Sequence, residues 1–254
     1  METNDKSHRR IKSDLTLLSI VTALKNSGGM TITELADELD LAKSTVYAHV
    51  HTLSDEGYLM KEDNEFRLSL RLLDLGGSVQ TRHLNELIRE KVDMLAIETK
   101  ERVQFVVEEE GVGVHLYCSY GEDAVQTKVW VGRHFPLHIS AAGKAILAHL
   151  PERRQDKILQ KNPVAFTDHT VTDVNQLRQE FQQIRENEYA LNQQESTRGL
   201  RAVGVPIKDE NDGVIGAISV SGPTHRIKDD VLREELPDLL LGVANEIELK
   251  LAFQ

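Results

Sequence analysis

Over the first 77 residues the apolar positions recur every three to four residues in three short runs, the spacing of helices that bury one face. Leu15, Leu18, Val21 and Leu24 mark the first run, which Ser13 can cap and Gly28-Gly29 ends. Thr33 opens the second, over 34–39, with Leu35, Ala36 and Leu39 inward. Val46, Val50 and Leu53 form the stripe of the third, over 43–55, and Gly57 follows it. Two short extended runs, 58–60 and 66–70, flank the polar segment 61–65 as a hairpin. Three helices and a hairpin, with a tight connection between the second and third helices, outline a winged helix-turn-helix.

Beyond Gly76-Gly77 the pattern changes. Residues 78–99 hold neither glycine nor proline and predict one linker helix. Val112, Val114, Leu116, Cys118 and Tyr120 then alternate strictly with Gly113, His115, Tyr117 and Ser119, the two-residue period of a half-buried strand. Runs at 103–107 and 124–131 complete an expected three-strand meander. Ser140 caps a helix over 141–149 that Pro151 stops, and a second amphipathic helix covers 174–187. Runs at 200–207 and 214–220 pair as a hairpin, and a long helix from about Asp229 closes the chain. The expected fold is α+β: a winged helix-turn-helix with a basic arm in 1–77, a linker helix in 78–99, and an antiparallel-sheet domain with packed helices in 100–254.

Composition narrows the class. The 254 residues are 40% hydrophobic, with no apolar run near the roughly 20 residues of a spanning helix, so no membrane partner is expected. The first residues lack the apolar stretch of a secretory signal, and the lone Cys118 allows neither an internal disulfide nor a cysteine zinc finger. A soluble cytoplasmic protein is the expectation. The net charge of -11 argues against nucleic acid until it is partitioned. Residues 1–12 carry four basic against two acidic side chains, and 41–54 carry Lys43 and no acid. The acid of this half lies in 13–40 and 55–78, and so high an acidic total suits an intracellular medium of high salt.

Positive charge therefore sits on an arm and on the third helix. Projected at about 100° per residue, the face opposite its buried stripe carries Ser44, Ala48 and His51, flanked by Thr45, Tyr47 and Thr52. Short polar side chains without carboxylates are what a helix needs to approach base edges in a major groove, and His49 lies nearer the buried stripe. Phosphate contacts are expected from Lys6, Arg9, Arg10, Lys12, Lys43, Lys61 and Arg67, with the first amides of the third helix. In the second half, Ser140-Ala141-Ala142-Gly143 offers amides at a helix start whose dipole favours an anion. Ser219 and Ser221, two apart on a strand, project to one face and can meet one carboxylate. Val129, Val131 and Leu137 are expected as apolar wall.

The segment MTITELADELDLAKSTVYAHVHTLSDEGYL, followed by EFRLSLRLLDLG, resembles the winged helix of IclR-type transcriptional regulators. GRHFPLHISAAGKAILAHLP, ESTRGLRAVGVPI and GVIGAISVSGPTHRI continue the likeness in the family's order, from about Asp14 to the end. The resemblance implies a GAF-like sensor domain that binds a small effector, an organic acid or a related metabolite, and controls binding to a double-stranded DNA operator. It points to Ala141, Ala142, Asn192, Leu200, Ala202, Ser219 and Ser221 as effector contacts. The chain departs from the family's pattern at Ala48, where arginine is frequent, at Asn192, where an acid is frequent, and at Ala202, where cysteine is frequent. One helix reads only a few base pairs, so a homodimer, or a tetramer built from it, is expected.

Other chemistry is set aside. His134 and His138 lack the spacing of a zinc site, so no metal or other cofactor is expected. Cys118 alternates inward as core, and 108–110 reads as a solvated acidic loop. Lys144 and Arg133 are read as surface ion pairs before effector contacts. With no nucleophile elbow and no phosphate loop, no catalytic residue is expected. An enzyme, or a sensor working only through protein partners, is the alternative to the DNA reader.

Overall fold

The computed structural model describes residues 10–83, 85–126, 129–161 and 163–253. The chain divides into two compact units, residues 1–79 and 80–254. No helix among the described residues is long and apolar enough to cross a membrane.

In the first unit, helix α1 (Lys12–Ser27) ends on Gly28, whose φ of 83° is the left-handed conformation that glycine adopts without a steric cost. Its buried residues are Ile20 and Leu24, whereas Leu15 and Leu18 are exposed. A strict three-residue spacing drifts round a helix, so Leu15 lies about 180° from Leu24. Ser13 is not its cap, for Ile11 holds that place without a side-chain bond. Helix α2 (Ile32–Glu38) starts earlier than expected, because Thr31 and not Thr33 closes a capping box with Glu34. Helix α3 (Lys43–Asp55) buries Val46, Val50 and Leu53 as the stripe predicts. Strands β1 (Leu59–Glu62) and β2 (Glu65–Leu68) form the wing, and Met30 bridges to Phe66 beside them.

The expected single linker helix is two. Helix α4 (Arg71–His83) and helix α5 (Glu86–Thr99) are separate, and the Asn85 side chain accepts from Leu87 N to start the second. Leu84, at the break, lies outside the described residues.

The second unit is a six-stranded antiparallel sheet with helices on both faces. Its strands are β3 (Arg102–Glu109), β4 (Val112–Tyr120), β5 (His134–Phe135), β6 (Ala190–Gln193), β7 (Leu200–Lys208) and β8 (Val214–Pro223), in the order β5-β4-β3-β8-β7-β6. One core packs α5 and α9 (Leu236–Ala252) against Val103, Phe105, Val205, Ile218 and Val220. The other packs α6 (Ala141–His149) and α8 (Val174–Asn187) against Val106 and Ala217. The meander's third strand is not at 124–131, whose described residues hold no strand, but at His134–Phe135, after Gly132, at φ 82°, has turned the chain. Two further elements escaped the sequence pattern. Pro151, read as a stop, also starts α7 (Glu152–Leu159), while β6 has only four residues at the sheet edge.

Candidate functional site

Two sites follow from this frame, one in each unit. On α3 the first turn carries no acid and its N-cap, Ala42, offers no side-chain bond, in contrast to the capping box of α2. Thr45 N and Val46 N donate to Ala42 O, and no side chain caps the start of α3, so the positive end of its dipole lies beside exposed Lys43, Ser44 and Thr45. Tyr47 is 55% exposed, its ring stacked on His51 at a centroid distance of 4.1 Å. His51 is half-buried, with its ring edge to Phe66 of the wing, so it anchors Tyr47 more than it reaches outward. Exposed Ala48 leaves the centre of this face flat, and the Thr52 hydroxyl donates back to Ala48 O. On the wing, Lys61 lies over the Phe66 ring. Arg67 is held by Glu62 and Glu65 and donates to Gly28 O, so its charge is already matched. Arg10 is exposed; Lys6 and Arg9 lie outside the described residues.

In the second unit, two rows of residues cross adjacent strands on one sheet face. Arg102, Ser221, Ala202 and Asn192 are register partners across β3, β8, β7 and β6. Gln104, Ser219, Gly204 and Ala190 form the next row. The start of α6 sits on Gly204: a Cβ there would come within 2.6 Å of Ala141 C and Ala142 N. These rows floor a cavity of about 460 Å³. Ala141, Asn192, Leu200, Ala202, Ser219 and Ser221 line it, as does Val129. Ala142, Val131 and Leu137 do not: Ala142 and Leu137 are packed in the α6 core, and Val131 is exposed.

The lining is electrostatically one-sided. Arg102, Arg133 and Arg201 contribute to it, and no described lining residue is an aspartate or glutamate. Arg102 is buried and donates through Nε to Ser221 Oγ at 3.0 Å, while Arg201 pairs with Asp229 beyond the rim. Burial, then the charges of Arg102 and Arg133, hold the His115 imidazole down at about pH 3. It is therefore neutral in the folded protein, whereas unfolding restores an ordinary value near 6.5 and takes up a proton at any pH between the two. Stability should fall as pH drops below about 6.5, by up to about 1.4 kcal/mol per pH unit from this group. A His115→Gln variant should show a shallower melting profile from pH 6.5 to 4, measured without ligand.

Three lining residues that sequence reasoning missed are Arg102, Gln104 and His115. Strict alternation separates His115 from Cys118, but the register shifts between Phe105 and Val106, so Gln104 faces Cys118 and Val106 faces His115. Leu116 is the extra residue of a β-bulge, which turns His115 onto the pocket face and leaves Leu116 in the opposite core. Cys118 is not in the core with Leu116 as alternation predicts: it is half-buried opposite Gln104 on the pocket face, and burial pushes its thiol up to about 11, away from an activated nucleophile.

Behind the pocket, Lys144 is not a surface residue. It is fully buried in α6, with Nζ 2.8 Å from both Glu195 oxygens and 2.5 Å from Glu180 Oε1. Burial raises the Glu195 carboxyl and the Lys144 charge draws it back, with a net upward direction. Asn192 spans this network and the pocket: its Nδ2 donates to Ile139 O at 2.6 Å and its Oδ1 accepts from Glu195 N. Elsewhere, Glu108 is bound by Arg154 and Gly111 N and is not the solvated acid expected. His138 is buried against Val164 O, and no cluster of three metal-ligating side chains exists among the described residues.

A winged helix-turn-helix joined to a sheet domain with an arginine-lined cavity defines a ligand-responsive DNA-binding regulator. Residues 76–249 match the family model of the bacterial transcriptional regulator IclR C-terminal domain, and residues 17–63 match that of the IclR helix-turn-helix domain. The chain belongs to the IclR family of DNA-binding transcriptional regulators, which carry a C-terminal effector-binding domain. It is 34% identical to the probable HTH-type transcriptional regulator ArcR of Halobacterium salinarum over 98% of this chain and 97% of that one. The crystal structure of Thermotoga maritima IclR superposes with a TM-score of 0.77 and 28% identity, covering 94% of this chain and 97% of that one. An IclR homologue of Microbacterium hydrocarbonoxydans, solved with 4-hydroxybenzoate, shares the fold at a TM-score of 0.81 and 22% identity, covering 94% and 99%.

Proposed function

We propose that this protein is a cytoplasmic homodimer that binds a two-part DNA operator through α3 and releases or tightens its grip when a small organic acid fills the cavity of the second unit. The observation that carries this reading is the lining: three arginines without a carboxylate, converging with the α6 start and two buried serines. An anion placed there gains helix-dipole and charge-assisted interactions. Asn192, neutral where the family often has an acid, adds no repulsion. The volume suits a metabolite-sized ligand. The Microbacterium homologue's aromatic acid is consistent with that class.

Dimerisation fits the apolar side chains that the first unit leaves outside its core: Leu15 and Leu18 on α1 and Leu73 and Val79 on α4 are 44–70% exposed. A second copy is the simplest cover for them. Domain limits of 1–77, 78–99 and 100–254, with 78–99 transmitting ligand occupancy, complete the reading.

The test is calorimetric. A panel of organic acids should include at least one that binds the parent protein, and Ser219→Ala with Ser221→Ala should weaken that acid by about tenfold or more, two lost hydrogen bonds to a charged group. DNA affinity without the acid should not change. An unaltered dissociation constant in the double variant would remove the serines from the site.

A further inference from the structure

The floor of the cavity is built for more than a carboxylate. Gln104, His115 and Ser219 are each less than 7% exposed, yet Gln104 Oε1, His115 Nδ1 and Ser219 Oγ have no hydrogen-bond partner in the protein. Buried polar atoms without partners are costly, and a protein keeps them where something else is meant to meet them. All three line the same cavity. Ser219 can serve the carboxylate at the α6 start, which packs on Gly204 of β7, but Gln104 and His115 stand apart from it. Gln104 is two strands away on β3, about 10 Å at the usual strand spacing, and His115 is one strand further on β4.

The chemistry of that second end can be narrowed. Gln104 Oε1 only accepts, so a second carboxylate would set two acceptors against each other. A cationic head would meet the charges of Arg102 and Arg133. A methyl or phenyl end would leave Gln104 Oε1 and His115 Nδ1 unanswered. A hydroxyl donates to the amide oxygen and accepts from the imidazole or the serine at once.

We infer that Gln104 and His115 form a second subsite that reads a hydroxyl on the far end of the ligand, so that the effector is a hydroxy acid about six carbons long, bound by its carboxylate at the α6 start. This rests on the acid reading above. The bulge in β4 is the device that makes it: without the extra residue, the His115 side chain would fall on the opposite sheet face.

Matched probes test it by isothermal titration with the full chain: 6-hydroxyhexanoate against hexanoate, and 4-hydroxybenzoate against benzoate. The hydroxylated member of at least one pair should bind at least ~10-fold tighter, since a site that hydrogen-bonds a hydroxyl rejects the analogue lacking it. In Gln104→Leu with His115→Phe the preference should shrink below about threefold, while affinity for the hydroxyl-free acids holds. A folding check runs alongside. Gln104→Leu removes an orphaned buried acceptor, so the ligand-free protein should melt about 2–4 °C higher. Hydroxyl-free acids binding as tightly as their partners, or a preference that survives in the double variant, would overturn the subsite while leaving the acid reading intact. If another acid of the calorimetric panel binds the parent protein and none of these four does, the subsite is overturned; if no acid of the panel binds, the acid reading fails and the subsite with it.

Discussion

A protein carrying Lys43→Ala, Ser44→Ala and Tyr47→Ala should bind an operator selected from a random duplex pool at least ~100-fold more weakly than the parent. Each of these side chains stands on the exposed opening of α3, beside uncapped amides and with no acid in the first turn. A base or phosphate contact is worth about 1–3 kcal/mol, and a dimer loses each contact twice. Exposed substitutions of this kind barely change stability, so the variant should melt within about 2 °C of the parent. Because Lys43 is the one charge among the three, the salt dependence of binding should also become shallower. Anisotropy titrations at two salt concentrations measure both effects. Arg67→Ala, by contrast, should cost less than Lys43→Ala, since two glutamates already match its charge.

The second large effect is expected far from the DNA. Lys144→Met leaves the Glu195 carboxylate buried beside α6 without the ammonium that now touches both its oxygens. Removing one member of a buried ion pair costs about 3–5 kcal/mol, here a fall of roughly 10 °C in melting temperature. Adding Glu195→Gln to Lys144→Met should recover part of that fall, because the stranded charge goes with it. The damage should reach the pocket as well: Asn192 joins Glu195 N to Ile139 O, just before the helix start that faces the cavity. Thermal melting of the two variants decides the point, and a Lys144→Met protein as stable as the parent would mean that the network contributes nothing.

What the sequence made legible was local. The stripe of α3, the cap at Ser140 and the serine pair on β8 all depend on residues within one turn or one strand, where periodicity and capping chemistry act. Non-local contacts were not readable. Lys144 meets partners 36 and 51 positions away, so nothing near it marks it as buried. Thr33 and Thr31 are both plausible caps, and only the reach of Glu34 back to Thr31 separates them. In the pocket, Ser219 and Ser221 could be paired on one face from their spacing, but Arg102 and Gln104 come opposite them only through the β3–β8 register. His115 needed the bulge, a single extra residue that reverses the alternation on which a strand is recognised. Apolar periodicity failed once in a helix too, at Leu15 and Leu18, which the first unit leaves outside its core.

The central claim is that occupancy of the arginine-lined cavity sets the affinity of α3 for DNA. It is tested most directly by titrating operator DNA with the protein at zero and saturating concentrations of the acid that calorimetry finds, in the parent and in the Ser219→Ala/Ser221→Ala variant, at an acid concentration that saturates only the parent. The acid should change the parent's DNA affinity by about 5–150-fold, the usual range of coupling between two sites, and leave the variant's affinity unchanged. An acid that fills the cavity without moving the parent's DNA affinity, or that moves both proteins alike, would contradict the account.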